Sequence, residues 1–448
     1  MKRSKTADTR WFEEARYGLF IHWGPYAAIG RGEQVLFREQ LDQKVYAREA
    51  CQWNPSRFDA EKWAALAVRG GFRYAVLTAR HHDGYCLWDS ALTDYSSSRQ
   101  APGRDFVREF LDAFRRAGLR VGLYYSLADW RVPAYWEGPR DDPRGWSRFR
   151  AYVHGQVDEL LTRYGPLDLF WFDGPWPHRA ADWQSRKLVA AMKRRQPWLL
   201  INNRLDRSAQ EGGTGAARRL GDFGTPEHEI LPEAGRPWES CQVTAWRHWG
   251  YAEGERYRSA AQLLDLLCEA ASKGGNLLLN VGPDAEGEIP PQPARALAAV
   301  GRWLGKYGAA IYGTRRGDLT EFVTCGYQVR GEKALYLIFR FWPRNGSARV
   351  AGLRAPGARA VLLGAPRRSL GLRETPGGLL IAGLPAKPPG PLFPVIRLDL
   401  AGEPERLPWA RERLWQGDPR RMTAWSLTRG LSVWADGRER PDPFQKNR

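Results

Sequence analysis

The chain has 448 residues with 68 Lys and Arg against 50 Asp and Glu, a net charge of +18, and it contains 21 tryptophans. That length accommodates one large domain and a smaller one. Apolar runs such as NLLLNVGP fall short of the roughly 20 residues that span a bilayer, MKRSKTADTRWFEEARYG lacks the apolar core of a secretory signal, and the basic residues are dispersed without a nucleic-acid motif, so membrane and specific nucleic-acid roles are set aside and a cytoplasmic location is expected.

Over residues 1–315 apolar runs alternate with helical patterns. In chain order, YGLFIHWG (17–24) reads as a strand and FDAEKWAALAVRGG as a helix with Asp59 at its N-cap and glycines at its end. RYAVLTARHHDG and RVGLYYSLADW supply two further strands around a helix over 105–117, and LDLFWFDG and LLINNR follow around helices over 147–164 and 180–195. PWESCQVT is a weaker strand candidate, 259–272 a helix, NLLLNVGP a strand and 291–307 a closing helix. This alternation predicts an α/β fold, a (β/α)8-like barrel in preference to an open doubly wound sheet, for which neither GxGxxG nor a P-loop is present. Residues 316–402 change character: ALYLIFRFW, RAVLLGA, GLLIAGL and PVIRLDL are short strands punctuated by Gly, Pro and charged turns, the pattern of a C-terminal β-sandwich domain. The extension 403–448, rich in Arg, Pro and Trp, has no readable structure. Cys51, Cys86, Cys241, Cys268 and Cys325 are scattered without CxxC spacing, which points to neither a disulfide framework nor a zinc site.

A barrel enzyme carries its chemistry at the C-terminal ends of its strands. The predicted ends hold His22-Trp23, then His81-His82-Asp83, then Tyr124-Tyr125 with Trp130, then Trp171 and Asp173, then Asn202-Asn203-Arg204. Each has an ordinary reading alone: Asp173 before Gly174 and Pro175 is good turn chemistry, and His22 could be a satisfied core histidine. Period-two geometry lets only one of His81 and His82 face inward while the strand stays regular. His22, His81, His82 and Asp83 could in principle hold a metal, but HxH and HExxH spacings are absent and none is expected. Imidazole, Tyr, Arg and Trp around a carboxylate suit a polyol, whose hydroxyls need donors and acceptors and whose ring needs an aromatic face. Glycoside hydrolysis needs two carboxyl groups, and the candidates to accompany Asp173 are Glu227, Glu239 and Glu33.

With these residues assembled, the chain resembles family 29 of the glycoside hydrolases, the alpha-L-fucosidases. YGLFIHWGPYA, TARHHDGYCLWDSALTDYS, GLYYSLADW, WFDG, INNR, GDFGTPE and SKGGNLLLNVGPDAEGEIP match its motifs in order, from about Trp11 to Thr314 and more weakly to about Ala401. The resemblance implies an exo-acting, retaining hydrolase with Asp173 as nucleophile, no cofactor, and a second carboxyl group about 5 to 5.5 Å away as acid/base. That residue is the glutamate of TPE in some members and of the WE motif in others, here Glu227 or Glu239, with Glu227 preferred. His22, Glu33, His81, His82, Tyr125, Trp171 and Arg204 match sugar-binding positions, and Trp249 an aromatic wall.

The family's GEW pattern reads Gly-Glu-Gln here, with Gln34 in place of the tryptophan. That departure leaves open a related L-galactoside-like sugar, and a carbohydrate-binding protein without turnover is a third reading. The implied partner is a fucosylated oligosaccharide or glycoconjugate; the sequence says nothing of oligomeric state.

Overall fold

The computed structural model describes residues 7–207, 220–232, 235–317, 326–364, 368–407, 431–433 and 439–441. Seven strands, β1 (Tyr17–Ile21), β2 (Tyr74–Arg80), β3 (Arg120–Ser126), β4 (Leu169–Asp173), β5 (Leu200–Ile201), β6 (Glu239–Val243) and β7 (Asn276–Val281), make one sheet in the order β5-β4-β3-β2-β1-β7-β6. The pairs from β1 through β5 run parallel. Every residue of β1, β2, β6 and β7 is buried, as expected of strands with helices on one face and a filled barrel on the other. The fold is the (β/α)8-like barrel followed by a β-sandwich.

The place between β5 and β6 is filled by residues 222–227, held by the single parallel bridges Asn202↔Phe223, Gly224↔Trp238 and Glu227↔Cys241. Gly221 enters this segment at φ +82, where a Cβ would sit 2.1 Å from the Asn202 carbonyl oxygen, so the turn requires glycine. Pro226 removes a ladder donor, so the segment closes the barrel without becoming a regular strand, and Glu227 ends it as Asp173 ends β4.

The helices follow the capping signals. Asp59 accepts from the Glu61 and Lys62 amides at the start of Ala60–Gly70, and Asp105 from the Arg108 amide at the start of Phe106–Arg116. Pro143–Arg163, Ala260–Ser272 and Pro291–Tyr307 are helical, while the segment read as one helix over 180–195 is two, broken at Gln184, which has φ +51. The barrel interior is packed by Phe12, Phe20, Tyr74, Val76, Tyr124, Leu169, Trp171, Leu200, Phe223, Cys241 and Leu278.

The chain divides into two compact units: 1–229, 236–260 and 278–301 in one, the remainder in the other. The second has an eight-stranded antiparallel arrangement with Arg359–Leu362, Val395–Asp399 and Ala334–Phe339 side by side. Its core is Leu335, Leu337, Val350, Leu379, Ile381, Ile396 and Leu398. Within the extension, Glu405–Arg406 pairs with Leu353–Arg354 and Leu431–Val433 with Glu439–Pro441; residues 408–430, 434–438 and 442–448, and Cys325, lie outside the described residues. No described helix is long and apolar enough to cross a membrane.

Candidate active site

Strand pleating decides which side chains reach the barrel mouth. β3 and β4 align Tyr124 with Trp171 and Ser126 with Asp173, so these four share the inward face. The Tyr124 hydroxyl donates to Asp173 Oδ2 at 3.0 Å, and its ring stacks on Trp171 with centroids 5.9 Å apart. Tyr125 takes the opposite face, where its hydroxyl donates to Gln156 Oε1 at 2.8 Å and its ring lies under the Arg80 guanidinium. Tyr125, read from the sequence as a sugar-binding residue, therefore belongs to the packing behind the barrel, and Tyr124 is the tyrosine at the site.

The two adjacent histidines both reach the pocket. β2 shifts register between Thr78 and Arg80 and the strand then ends, so the pleat that would separate His81 from His82 no longer applies. Their ring centroids are 4.0 Å apart; His81 packs beside His22 and Tyr124, and His82 Nε2 lies 3.8 Å from Asp173 Oδ2. His82 Nδ1 is 2.7 Å from Ser126 Oγ, and His22 Nδ1 is 2.7 Å from Asn280 Oδ1. Burial keeps all three rings neutral, pushing His22 and His81 well below the usual histidine range and His82 down to about 3. Asp83 turns aside, accepting from the Tyr46 hydroxyl at 2.6 Å, and burial raises it to about 6. Among the described residues no group of His, Cys, Asp and Glu has a metal-holding arrangement.

Arg204, after β5, organises the carboxylates. Its Nε donates to Thr225 Oγ1 and its Nη2 to the Thr225 carbonyl, which fixes the plane of the guanidinium over the Trp171 ring. Nη1 then donates both to Asp173 Oδ1 at 3.2 Å and to Glu227 Oε2 at 2.7 Å. Two oxygens bound to one nitrogen can be no farther apart than those two distances laid end to end, about 6 Å, which is compatible with the separation retaining chemistry uses. Burial opposes the Arg204 charge, but Glu227, Cys241 and Asp173 outweigh it and hold the guanidinium protonated. The Asp173 side chain is 14% exposed and that of Glu227 38%.

Glu239, the other acid candidate, opens β6 and is fully buried. Tyr74 OH donates to its Oε2 at 2.5 Å and Trp171 Nε1 to its Oε1 at 2.8 Å. Burial raises it to about 7, a value suited to a general acid, yet both oxygens are engaged by Trp171 and Tyr74 away from solvent. Reach decides between the two glutamates before proton affinity does, and it favours Glu227.

The remaining wall comes from two loops. Glu33 Oε2 accepts from the Trp249 and Gly250 amides, both at 2.9 Å, and the Trp249 ring packs on His22 and on His228. Gln34 turns its amide oxygen to Arg38 Nε at 3.0 Å. Sequence reasoning placed Tyr124 at a strand end but chose its neighbour, and it missed Ser126, Thr225 and Asn280; a polar residue closing the apolar run NLLLN was the one available signal for Asn280.

A model of the family described as alpha-L-fucosidase matches residues 2–309. The chain belongs to the alpha-L-fucosidase family. Tissue alpha-L-fucosidase of Rattus norvegicus is 31% identical over 417 residues, covering 86% of this chain and 87% of that protein. Alpha-L-fucosidase isoenzyme 1 from Paenibacillus thiaminolyticus superimposes with a TM-score of 0.79 at 35% identity, over 88% of this chain and 99% of that one. A Bacteroides thetaiotaomicron alpha-L-fucosidase of family 29, trapped as a covalent intermediate with 2-fluoro-fucosyl fluoride, gives 0.80 at 28% identity, over 90% and 100%. This fucosidase family member is a glycoside hydrolase, and the residues gathered around Arg204 are its candidate catalytic centre.

Proposed function

We propose that the protein is an exo-acting, retaining alpha-L-fucosidase that removes terminal fucose from an oligosaccharide or glycoconjugate, with Asp173 as nucleophile and Glu227 as acid/base. The observation that carries this reading is the shared Arg204 nitrogen, which sets two carboxyl groups within double-displacement distance at the open end of the barrel. In the first half-reaction an Asp173 oxygen bonds to the anomeric carbon as the glycosidic C–O bond breaks, and the Glu227 proton passes to the departing oxygen. In the second, Glu227 takes a proton from water, the water oxygen bonds to the anomeric carbon, and Asp173 leaves as carboxylate. Tyr124 and Arg204 each hold one Asp173 oxygen and so restrict the direction of attack. The trapped covalent intermediate of the Bacteroides relative supports the double displacement.

Proton NMR of an aryl alpha-L-fucoside during the first minutes of cleavage tests it. Retention delivers alpha-fucose first, with the beta anomer growing in by mutarotation; beta-fucose as first product would overturn the mechanism.

A further inference from the structure

Asn280 ends the inward row of β7, beside β1, and its amide orientation is fixed by its partners. Its Nδ2 donates to the Trp249 carbonyl at 2.6 Å, and a carbonyl can only accept. The atom facing His22 Nδ1 at 2.7 Å is therefore Oδ1, which carries no hydrogen, so the proton between them belongs to Nδ1. Of the other two pocket histidines, His82 Nδ1 meets Ser126 Oγ, whose one hydrogen is donated to the Ala128 carbonyl at 2.9 Å, so His82 also carries its proton on Nδ1, while His81 Nδ1 is buried without a partner.

Around His22, just after β1, pack Phe20 of β1, His81 after β2, Tyr124 of β3 and Trp249 of the loop after β6, and the charged groups acting on it are Glu227 and Arg204. Only Glu227 favours a second ring proton through space, and burial outweighs it. A neutral ring with its hydrogen on Nδ1 has a lone pair on Nε2. Trp249 is held at both ends of its backbone, its amide by Glu33 and its carbonyl by Asn280, so the same amide that orders the imidazole also seats the indole against it.

We propose that Asn280 is a positioning residue that fixes His22 as the Nδ1–H tautomer, making Nε2 an obligatory acceptor for a substrate hydroxyl while clamping the Trp249 wall alongside. The inference rests on the fucoside reading for the identity of that hydroxyl's owner, but the tautomer itself is a property of the free protein. Neutral acceptors select sugar hydroxyls, which donate readily, over ether or methyl groups at the same place. They also add no positive charge beside an anomeric centre that becomes cationic.

The direct test is a long-range proton–nitrogen NMR correlation on histidine-labelled protein at pH 7.5, with the His22 signals assigned by their loss in His22→Gln or by proximity to the Phe20 and Trp249 rings. The expected pattern is a protonated Nδ1 and a bare Nε2; a protonated Nε2, or a doubly protonated ring, overturns the proposal. Asn280→Asp adds an independent readout: it leaves an oxygen toward His22 but supplies a negative charge and removes the donor to Trp249, so the imidazolium gains stability and Nε2 turns into a donor. Its kcat/KM on 4-nitrophenyl alpha-L-fucoside should fall roughly 10²-fold at pH 6 and recover as pH rises, an ionisation the wild type lacks, with KM taking most of the loss. A merely structural role would lower activity equally at every pH, and that result, or a wild-type profile, contradicts the proposal. Absence of fucoside cleavage by the wild type would sink the functional reading and leave the NMR result standing on its own.

Discussion

Glu227 and Glu239 are both linked to one indole, Trp171, the first through Arg204 and the second directly, yet they differ in exposure and in what they can reach. Above Trp171, the Arg204 guanidinium lies over the ring and binds Asp173 and Glu227 at a half-open mouth. At its edge, the indole N–H and the Tyr74 hydroxyl engage both oxygens of Glu239 in the closed interior. Burial raises Glu239 to about 7, but that reflects lost hydration and gives it no path to a substrate. Perturbed proton affinity is thus a poor guide when exposure disagrees with it, and the contacts of Glu239 are those of a buried group that ties Trp171 to Tyr74.

The largest effect should come from the one carboxyl group common to every version of the chemistry. Asp173→Ala is expected to lower kcat on an aryl fucoside by at least about 10³-fold, with azide restoring part of the rate as a fucosyl azide product. Next, Glu227→Ala should cost roughly 10²-fold or more on a fucosyl disaccharide but only about 10-fold on 4-nitrophenyl fucoside, whose leaving group needs no proton. If Glu239→Gln shows that leaving-group dependence instead, the two glutamates exchange roles. The expectation for Glu239→Gln is a modest loss, below about 10-fold, without discrimination between leaving groups, because the amide fills the same space and keeps an acceptor for one of its two partners.

Smaller still is the effect of acid on stability, where the two regions pull in opposite directions. An unfolded chain protonates His22, His81 and His82 below about pH 6.5, and the native pocket refuses those protons. Their contribution is whole above that pH and is lost as pH falls toward 5, by up to about 1.4 kcal/mol per pH unit for each ring. Glu239 acts the other way between about 4.5 and 7, since the folded chain holds a proton that the unfolded one releases. Asp83, which burial raises to about 6, works in the same direction as Glu239, and three rings outweigh these two carboxyl groups, so denaturant midpoints should fall from pH 7.5 to pH 5.5, and more steeply in Glu239→Gln. A flat or rising midpoint in the wild type would show that the rings titrate in the native state.

The sequence revealed the site's composition better than its orientation. Asp173 stood out because an apolar strand ended on it, and β4 does end there. Tyr124 and Tyr125 could not be told apart, because the pleat allows one to face inward and only the β3–β4 register, set by partners far along the chain, chooses which. His81 and His82 were undecided for a related reason, and the end of β2 at Arg80 freed both from the alternation. The eighth position of the barrel was illegible as a strand because Gly221 and Pro226 break its period, although GDFGTPE, which spans it, was recognised as a motif. Asn280 was hidden by its surroundings: its value lies in contacts with His22 and Trp249, and nothing in NLLLNVGP points to either.

The claim that Asp173 and Glu227 form a nucleophile and acid/base pair is most directly tested by treating the protein with 2-fluoro-fucosyl fluoride, digesting it and locating the added sugar by tandem mass spectrometry. A single fluorofucosyl ester on Asp173, formed more slowly in Tyr124→Phe, is the expected result. A label on Glu227 or Glu239, or time-dependent inactivation of Asp173→Ala, would contradict it.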